Sequence, residues 1–279
     1  MFPNKSIIAP LFLLTFFGGI MSGYTVFVEP YMVTTAEYQI ASENLPDAFD
    51  GKRIALITDI HHGSRGSYNL LDKVVRMTQE LSPDVILFGG DYTNERPELL
   101  GECFAKLSDL DAPLGMYAVL GNHDLRKLSQ KRRAMEDAGI VLLENKSVWL
   151  KAAGERILLI GIKDLWNSEP SLAGMQRDIA KSDFTVLLSH NPDYYDAMST
   201  NDREHIDLML SGHTHGGQIT VFGLYAPKKT AQAKYTTGLV KPDDGRTQII
   251  VSNGIGTVGL PIRFFARPQI VLVTLKKQR

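Results

Sequence analysis

Residues 53–61 read Arg-Ile-Ala-Leu-Ile-Thr-Asp-Ile-His, a short apolar run closed by an aspartate and, two residues later, a histidine. A continuous apolar run of this length fits a strand covered on both faces, as in the parallel sheets of α/β proteins. An acid and an imidazole at its carboxyl end stand where open α/β sheets bind their ligands.

The same pattern recurs along the chain. The apolar run 84–88 leads to Gly90-Asp91, the run 115–120 to Gly121-Asn122-His123-Asp124, 184–188 to Ser189-His190, and 206–210 to Gly212-His213-Thr214-His215. Further strands are expected over 156–160, 248–251 and 269–274. Residues 69–81, 98–110 and 125–138 place apolar side chains at helical spacing between the early strands. Such alternation predicts an α/β fold with much parallel pairing. The later strands arrive without helices between them, so a mixed sheet or two stacked sheets is expected rather than a purely doubly wound fold.

Composition excludes several classes. With 30 Lys+Arg against 31 Asp+Glu, the formal net charge is -1, so nucleic acid, which needs clustered Lys and Arg, is not an expected partner. At 44% hydrophobic residues and a single Cys, the chain is neither disordered nor a disulfide scaffold. Cys103, between Leu100 and Leu107 of a helical pattern, reads as a buried small hydrophobe.

Six of the seven histidines, at 61, 62, 123, 190, 213 and 215, fall in or beside the strand-end motifs. One such motif is ordinarily a turn or a cap; five in order point to one site. Asp, Asn and His offer oxygen and nitrogen donors without thiolate, which suits Mn, Fe or Zn. Seven such residues exceed one tetrahedral shell and suffice for two ions sharing a carboxylate, a device used for phosphoryl displacement. His62 is read as a solvent-facing or supporting histidine. Gly254-Ile-Gly256-Thr-Val-Gly259 has the dinucleotide-fingerprint spacing, but Pro261 follows instead of a helix and no acid lies about 20 residues on, so a Rossmann site is rejected. A loop offering backbone N–H groups to a phosphate stays open.

Together the blocks D-x-H, G-D, G-N-H-D, S-H and G-H-T-H resemble the calcineurin-like metallophosphoesterase family. The strings 189–193, 212–218 and 254–261 are similar to its membrane-anchored bacterial branch, which includes phosphodiesterases and lipid-directed UDP-diacylglucosamine pyrophosphatases. The resemblance implies two stacked mixed β-sheets flanked by helices, a four-layer sandwich. It implies one ion held by Asp59, His61, Asp91 and His215, and a second by Asp91, Asn122, His190 and His213, with Asp91 bridging and a hydroxide between the ions attacking phosphorus. His123 would stabilise developing charge or protonate the leaving oxygen, and Asp124 would orient its imidazole. The activity implied is hydrolysis of a phosphodiester or pyrophosphate bond, on a lipid-linked or membrane-surface substrate. The alternatives are a soluble nucleotide or cell-envelope phosphodiester and, from another class, a non-catalytic metal-binding interaction module.

The first fifty residues follow different rules, with Lys5 alone against Glu29, Glu37, Glu43, Asp47 and Asp50. Ile7 to Val28 carries no charge over 22 residues. At about 1.5 Å per residue this reaches roughly 33 Å, enough to cross a hydrocarbon core of about 30 Å. A cleaved signal peptide competes, but the pairs Ile20/Ser22 and Met21/Gly23 make poor cleavage sites and the apolar run resumes at Thr25, which favours an uncleaved anchor. Lys5 precedes the span and no basic residue follows before Lys52, so the N-terminus is expected inside and the main domain outside the cytoplasm. Gly19-Ile20-Met21-Ser22-Gly23 is a G-x-x-x-G through which two such helices could pair as a homodimer. The expected organisation is an anchor over 1–28, a connector over 29–50 and a catalytic domain over 51–279.

Overall fold

The computed structural model describes residues 5–63, 67–93, 96–175, 180, 183–222, 234–243 and 246–279. Two six-stranded sheets form the centre. The first runs in the order β1 (Thr34–Ser42), β12 (Gln269–Lys277), β2 (Arg53–Ile57), β3 (Val85–Phe88), β4 (Met116–Ala118) and β5 (Ile140–Leu142). The second runs β10 (Gly238–Val240), β11 (Gln248–Val251), β9 (Leu208–Ser211), β8 (Thr185–Leu188), β7 (Glu155–Gly161) and β6 (Lys146–Ala152).

Side-chain alternation explains why the sheets stack. In β2, Ile54 and Leu56 face the second sheet and join Leu159, Val186, Leu188 and Leu210 in one buried cluster. Their neighbours Ala55 and Ile57 face the other way, into a cluster with helices α2 (Ser67–Glu80), α3 (Leu100–Leu107) and α4 (Leu128–Asp137) through Leu71, Phe104 and Met135. On the far side, Tyr195 of α5 (Tyr194–Ala197), with Met198 just beyond it, packs on Leu158, Leu187 and Met209; α6 (Thr200–Arg203) follows. A period of two thus feeds two cores from one strand. The result is the two mixed sheets flanked by helices that the motifs implied.

Pairing also fixes where the site can be. Strands β2, β3, β4 and β5 are mutually parallel, as are β7, β8, β9 and β11. Each sheet therefore gathers its carboxyl ends along one edge, and the polar motifs follow those ends.

The first fifty residues hold more structure than their composition indicates. Within 29–50, read from the sequence as a connector, β1 pairs in parallel with β12 from Thr34 to Ser42, and Glu29 and Phe49 are buried. The strand Thr-Thr-Ala-Glu-Tyr-Gln-Ile-Ala-Ser lies at the sheet edge with one face exposed, so its acid and polar residues disguised it. The charge-free N-terminal stretch does form a helix, α1 (Lys5–Phe27). Among the described residues, however, no helix is long and apolar enough to cross a membrane. Much of the expected anchor, the side chains of residues 1–12 and 14, lies outside the described residues.

Candidate metal centre

The strand-end loops bring all seven expected ligands together. Asp59 and His61 follow β2, Asp91 follows β3, Asn122 follows β4, His190 follows β8, and His213 and His215 follow β9. Five of them, Asp59, His61, Asp91, His213 and His215, have φ between 43 and 70°. Left-handed backbone costs a non-glycine residue about 1–2 kcal/mol, and strain of this kind gathers at functional sites. Here it turns the chain sharply off each strand, so that residues two apart, as in Asp59/His61 and His213/His215, enter one cleft. Gly121 and Gly212 complete the approach, because a Cβ at either would fall against the carboxylate of Asp91 or of Asp59.

Asp91 stands between two donor sets. Its Oδ2 lies 3.5 Å from His61 Nε2 and 3.4 Å from His190 Nε2. On one side, donor atoms of Asp59, His61 and His215 fall within 4.8 Å of one another, with His215 Nε2 at 3.5 Å from Asp59 Oδ1. On the other, Asn122 Oδ1 lies 3.1 Å from His190 Nε2 and 3.0 Å from His213 Nδ1, and those two nitrogens are 3.2 Å apart. Donors sharing one ion at bond lengths of about 2.1 Å stand about 3.0–3.4 Å apart in octahedral or tetrahedral shells. Both ring nitrogens of His61 and Nε2 of His213 are buried without a hydrogen-bond partner, a costly state that a cation removes. The donor set therefore fits divalent ions.

Electrostatics prepare the same groups. Burial lowers His61 to about 4 and His213 to about 3, and takes His215 well below the usual imidazole value. All three are neutral near pH 7 and present nitrogen lone pairs. Burial opposes charge on His190 too, but Asp91, Asp59 and the Gly89 carbonyl overcome it and raise this imidazole to about 10. Asp91 is driven well below the usual carboxylate range despite burial, chiefly by His190. Burial raises Asp59 to about 6.

The supporting groups were mostly invisible in the sequence. Thr58 Oγ1 donates to Asp59 Oδ2 at 2.8 Å, and the His213 backbone N–H donates to the same carboxylate. His190 Nδ1 donates to the Gly89 carbonyl at 2.8 Å, which aims Nε2 at Asp91 and Asn122. The carboxylate of Asp124, expected to orient the His123 imidazole, is instead taken up by backbone N–H groups of Asp91, Tyr92 and Gly121, and pairs with buried Lys131. It is a brace for two loops. His123 is half-buried, its ring 5.2 Å from that of His61, and its N–H donates to Asp91 Oδ1.

In the 254–259 loop, the N–H groups of Ile255 and Gly256 donate to the Asp59 carbonyl. It packs against the D-x-H block. Arg263 is fully buried, giving its guanidinium to the carbonyls of Gly256, Ala266 and Asn253. It is the single charge between Arg246 and Arg267, a signal the sequence did carry. His62 is not solvent-facing but buried, 3.5 Å from Glu102 on α3. Cys103 is buried, as expected. Trp166 stands half exposed at the cleft, its ring edge-on to His213 at 4.2 Å, while the loop beneath it is fixed by Asp164.

Known proteins share these features. Residues 52–217 match the family model described as calcineurin-like phosphoesterase. The chain is 34% identical over 262 residues to the uncharacterized metallophosphoesterase YkuE of Bacillus subtilis, covering 91% of this chain and 89% of that one. It is 29% identical to a Danio rerio protein named transmembrane protein with metallophosphoesterase domain, covering 86% of this chain and 57% of that one. Among solved structures, the sulfate thiohydrolase SoxB of Thermus thermophilus has a similar fold, with TM-score 0.50 and 14% identity over 83% of this chain and 57% of that one.

Proposed function

This chain belongs to the calcineurin-like phosphoesterase family and is a metal-dependent phosphoesterase, and from that premise we propose that it hydrolyses a phosphodiester or pyrophosphate bond at a pair of divalent ions. The observation that carries the reading is Asp91, whose one carboxylate oxygen lies within 3.5 Å of imidazoles from both donor sets. Asp59, His61, Asp91 and His215 would hold one ion, and Asp91, Asn122, His190 and His213 the other. Such a pair, when bound, supplies Lewis-acid polarisation of phosphate oxygens and acidifies water at neutral pH.

The chain's own groups do the rest. Neutral His61, His213 and His215 donate lone pairs, and the Gly89 carbonyl holds His190 in the orientation that presents Nε2. His123, half-buried with its ring 5.2 Å from that of His61, would give a proton to the departing oxygen or stabilise charge on it. Asp124 keeps the Asp91 and Gly121 loops at a fixed spacing, which positions both the shared carboxylate and His123.

The substrate class proposed is a lipid-linked phosphoester or pyrophosphate at a membrane surface. Helix α1 supports it: Leu13, Phe16, Phe17, Ile20 and Met21 are all exposed, and no charge lies between Ile7 and Val28. Lys5, the lone basic residue before Lys52, favours the N-terminus inside and the catalytic domain outside the cytoplasm. A second reading, a soluble nucleotide diester, is favoured by Trp166, whose indole can stack on a base. Manganese-, iron- or zinc-reconstituted protein assayed on phosphomonoesters, diesters, nucleotide pyrophosphates and phospholipids tests both. Diester or pyrophosphate turnover is expected; turnover of monoesters alone would overturn the proposal.

A further inference from the structure

Beside the cleft, the surface carries an apolar feature that the metal centre does not use. Phe222 and Phe265 are 75% and 46% exposed, and their rings lie 5.3 Å apart. The Phe264 ring lies tilted against that of Phe265, centroids 4.4 Å apart, and Val221 and Leu260 are exposed as well. Two loops present these side chains, and they are tied together: Ile219 bridges Phe264, and the Thr220 N–H donates to the Phe264 carbonyl. Scattered exposed apolar residues need no explanation, but contiguous ones mark a contact surface.

Their backbone strengthens the case. Phe222 and Phe265 both sit in the left-handed region, at φ 53° and 52°. For a bulky residue this is an outlier that glycine or asparagine would avoid at little cost. Two strained phenylalanines in contact, each turned toward solvent, are what a chain keeps when those rings must project.

The partner is indicated by what surrounds them. The Arg263 N–H donates to the Thr25 carbonyl of α1 at 3.0 Å, so the end of that helix lies against the same loop. The described part of α1 exposes Phe16, Phe17, Ile20, Met21 and Phe27 with no charged residue among them. A helix apolar on all its exposed faces ordinarily lies buried, in a large protein core or against a membrane. Residues 254–262 and 216–222 are also uncharged. The aromatic cluster hangs directly from the cleft, because Gln218, whose N–H donates to the His215 carbonyl, also donates through Nε2 to the carbonyls of Val258 and Leu260.

We propose that Val221, Phe222, Leu260, Phe264 and Phe265 form a wedge that enters the lipid surface to which α1 leads, so that the cleft opens at headgroup level and takes a phosphoester whose acyl chains stay in the bilayer. The inference deepens the phosphohydrolase reading above and rests on it for the substrate. Aromatic and aliphatic side chains a few ångströms into the headgroup boundary are the usual means by which a protein lies on a membrane.

The test uses the full chain in phosphatidylcholine vesicles. Its one cysteine, Cys103, is buried, so Phe222→Cys carries a thiol-reactive fluorophore at one accessible position, with Lys151→Cys on β6 as the control. Brominated acyl chains should quench the label at 222 and spare the label at 151. Equal emission from both would overturn the wedge, as would a label at 222 that responds only to self-association in detergent. In parallel, the double variant Phe222→Asn, Phe265→Asn, which eases the backbone, should keep its Tm. It should hydrolyse a vesicle-embedded phospholipid diester at least about tenfold more slowly than wild type, relative to a soluble aryl diester. An unchanged ratio would sink the proposal. Quenching without hydrolysis of any diester would leave the wedge standing and overturn the phosphohydrolase reading, so the two failures are distinguishable.

Discussion

The two sheets contribute different chemistry to one cleft. Loops of the first sheet deliver the carboxylates Asp59 and Asp91 and the amide Asn122, whereas loops of the second deliver the imidazoles His190, His213 and His215. His61 is the one nitrogen donor that the first sheet adds. The division matters because the hydrogen bonds cross it: His190 is oriented by the Gly89 carbonyl, and the His213 N–H is held by Asp59. Neither half presents a finished donor set, so the cleft exists only once the sheets are stacked. The shared buried cluster of Leu56, Leu87, Val186 and Leu210 is therefore as necessary to the site as its ligands.

The comparison predicts that the halves are not equally sensitive. Asp91 serves both donor sets, so Asp91→Ala should lower kcat/KM on an aryl phosphodiester on the order of 10³-fold or more, with bound metal per chain falling by elemental analysis. His213→Ala removes one donor from one set and should cost about 10²-fold, much of it recovered at high metal concentration. Equal losses from both, or a recoverable Asp91→Ala, would show that the carboxylate is not shared.

Protons sharpen the same contrast. In the metal-free protein, His190 is raised to about 10, so its stabilising contribution is fully present below the unfolded value of about 6.5 and is lost as pH rises through 10. Asp59 is raised to about 6, so its contribution is present below the ordinary carboxylate value and lost as pH rises through 6. A metal ion needs both groups deprotonated. At pH 8 only His190 still holds its proton. At that pH His190 should contribute about one proton per chain to the release on metal binding, beside any from metal-bound water, read by calorimetry in buffers of different ionisation enthalpy, and affinity should climb with pH toward 10. His190→Asn should lower the release by that one proton.

How much of this was legible beforehand follows from what each residue has to do. The strand ends are made visible by their apolar runs, so the convergence of Asp59, Asp91 and His213 on one cleft could be read from the chain. Edge strands could not: β1 needs only one buried face, and its Glu37 and Gln39 resemble a connector. Bracing residues were hidden for a related reason. Lys131 has no apolar frame to mark it, and Asp124 follows His123 so closely that its preference for the neighbouring backbone became evident only in three dimensions. The exposed Phe222 and Phe265 carry no periodicity, and their backbone strain has no signature in composition.

A smaller effect concerns Arg263, which joins the halves from beneath. Burial lowers its guanidinium to about 10, with Asp59 and Glu29 opposing, and the group stays charged at neutral pH. Its donors reach three carbonyls across the 253–266 loop, a spread that one ammonium cannot reproduce. Arg263→Lys should lower stability by about 2–4 kcal/mol by denaturant titration.

The smallest effect is expected at Trp166, on the second sheet's side of the opening. Its indole is perpendicular to the His213 ring and half exposed, and Asp164 fixes the loop by accepting from the N–H groups of Trp166 and Asn167. Stacking of a base on an aromatic face contributes about 1–3 kcal/mol. Half of this indole already lies in solvent, so the lower end of that range applies, and Trp166→Ala should raise KM for a nucleotide diester roughly three- to tenfold. The same variant should leave KM for an alkyl diester near wild type. A parallel rise for both would mean that Trp166 acts by holding His213, and the second sheet would then supply ligands and their support but no surface for the substrate.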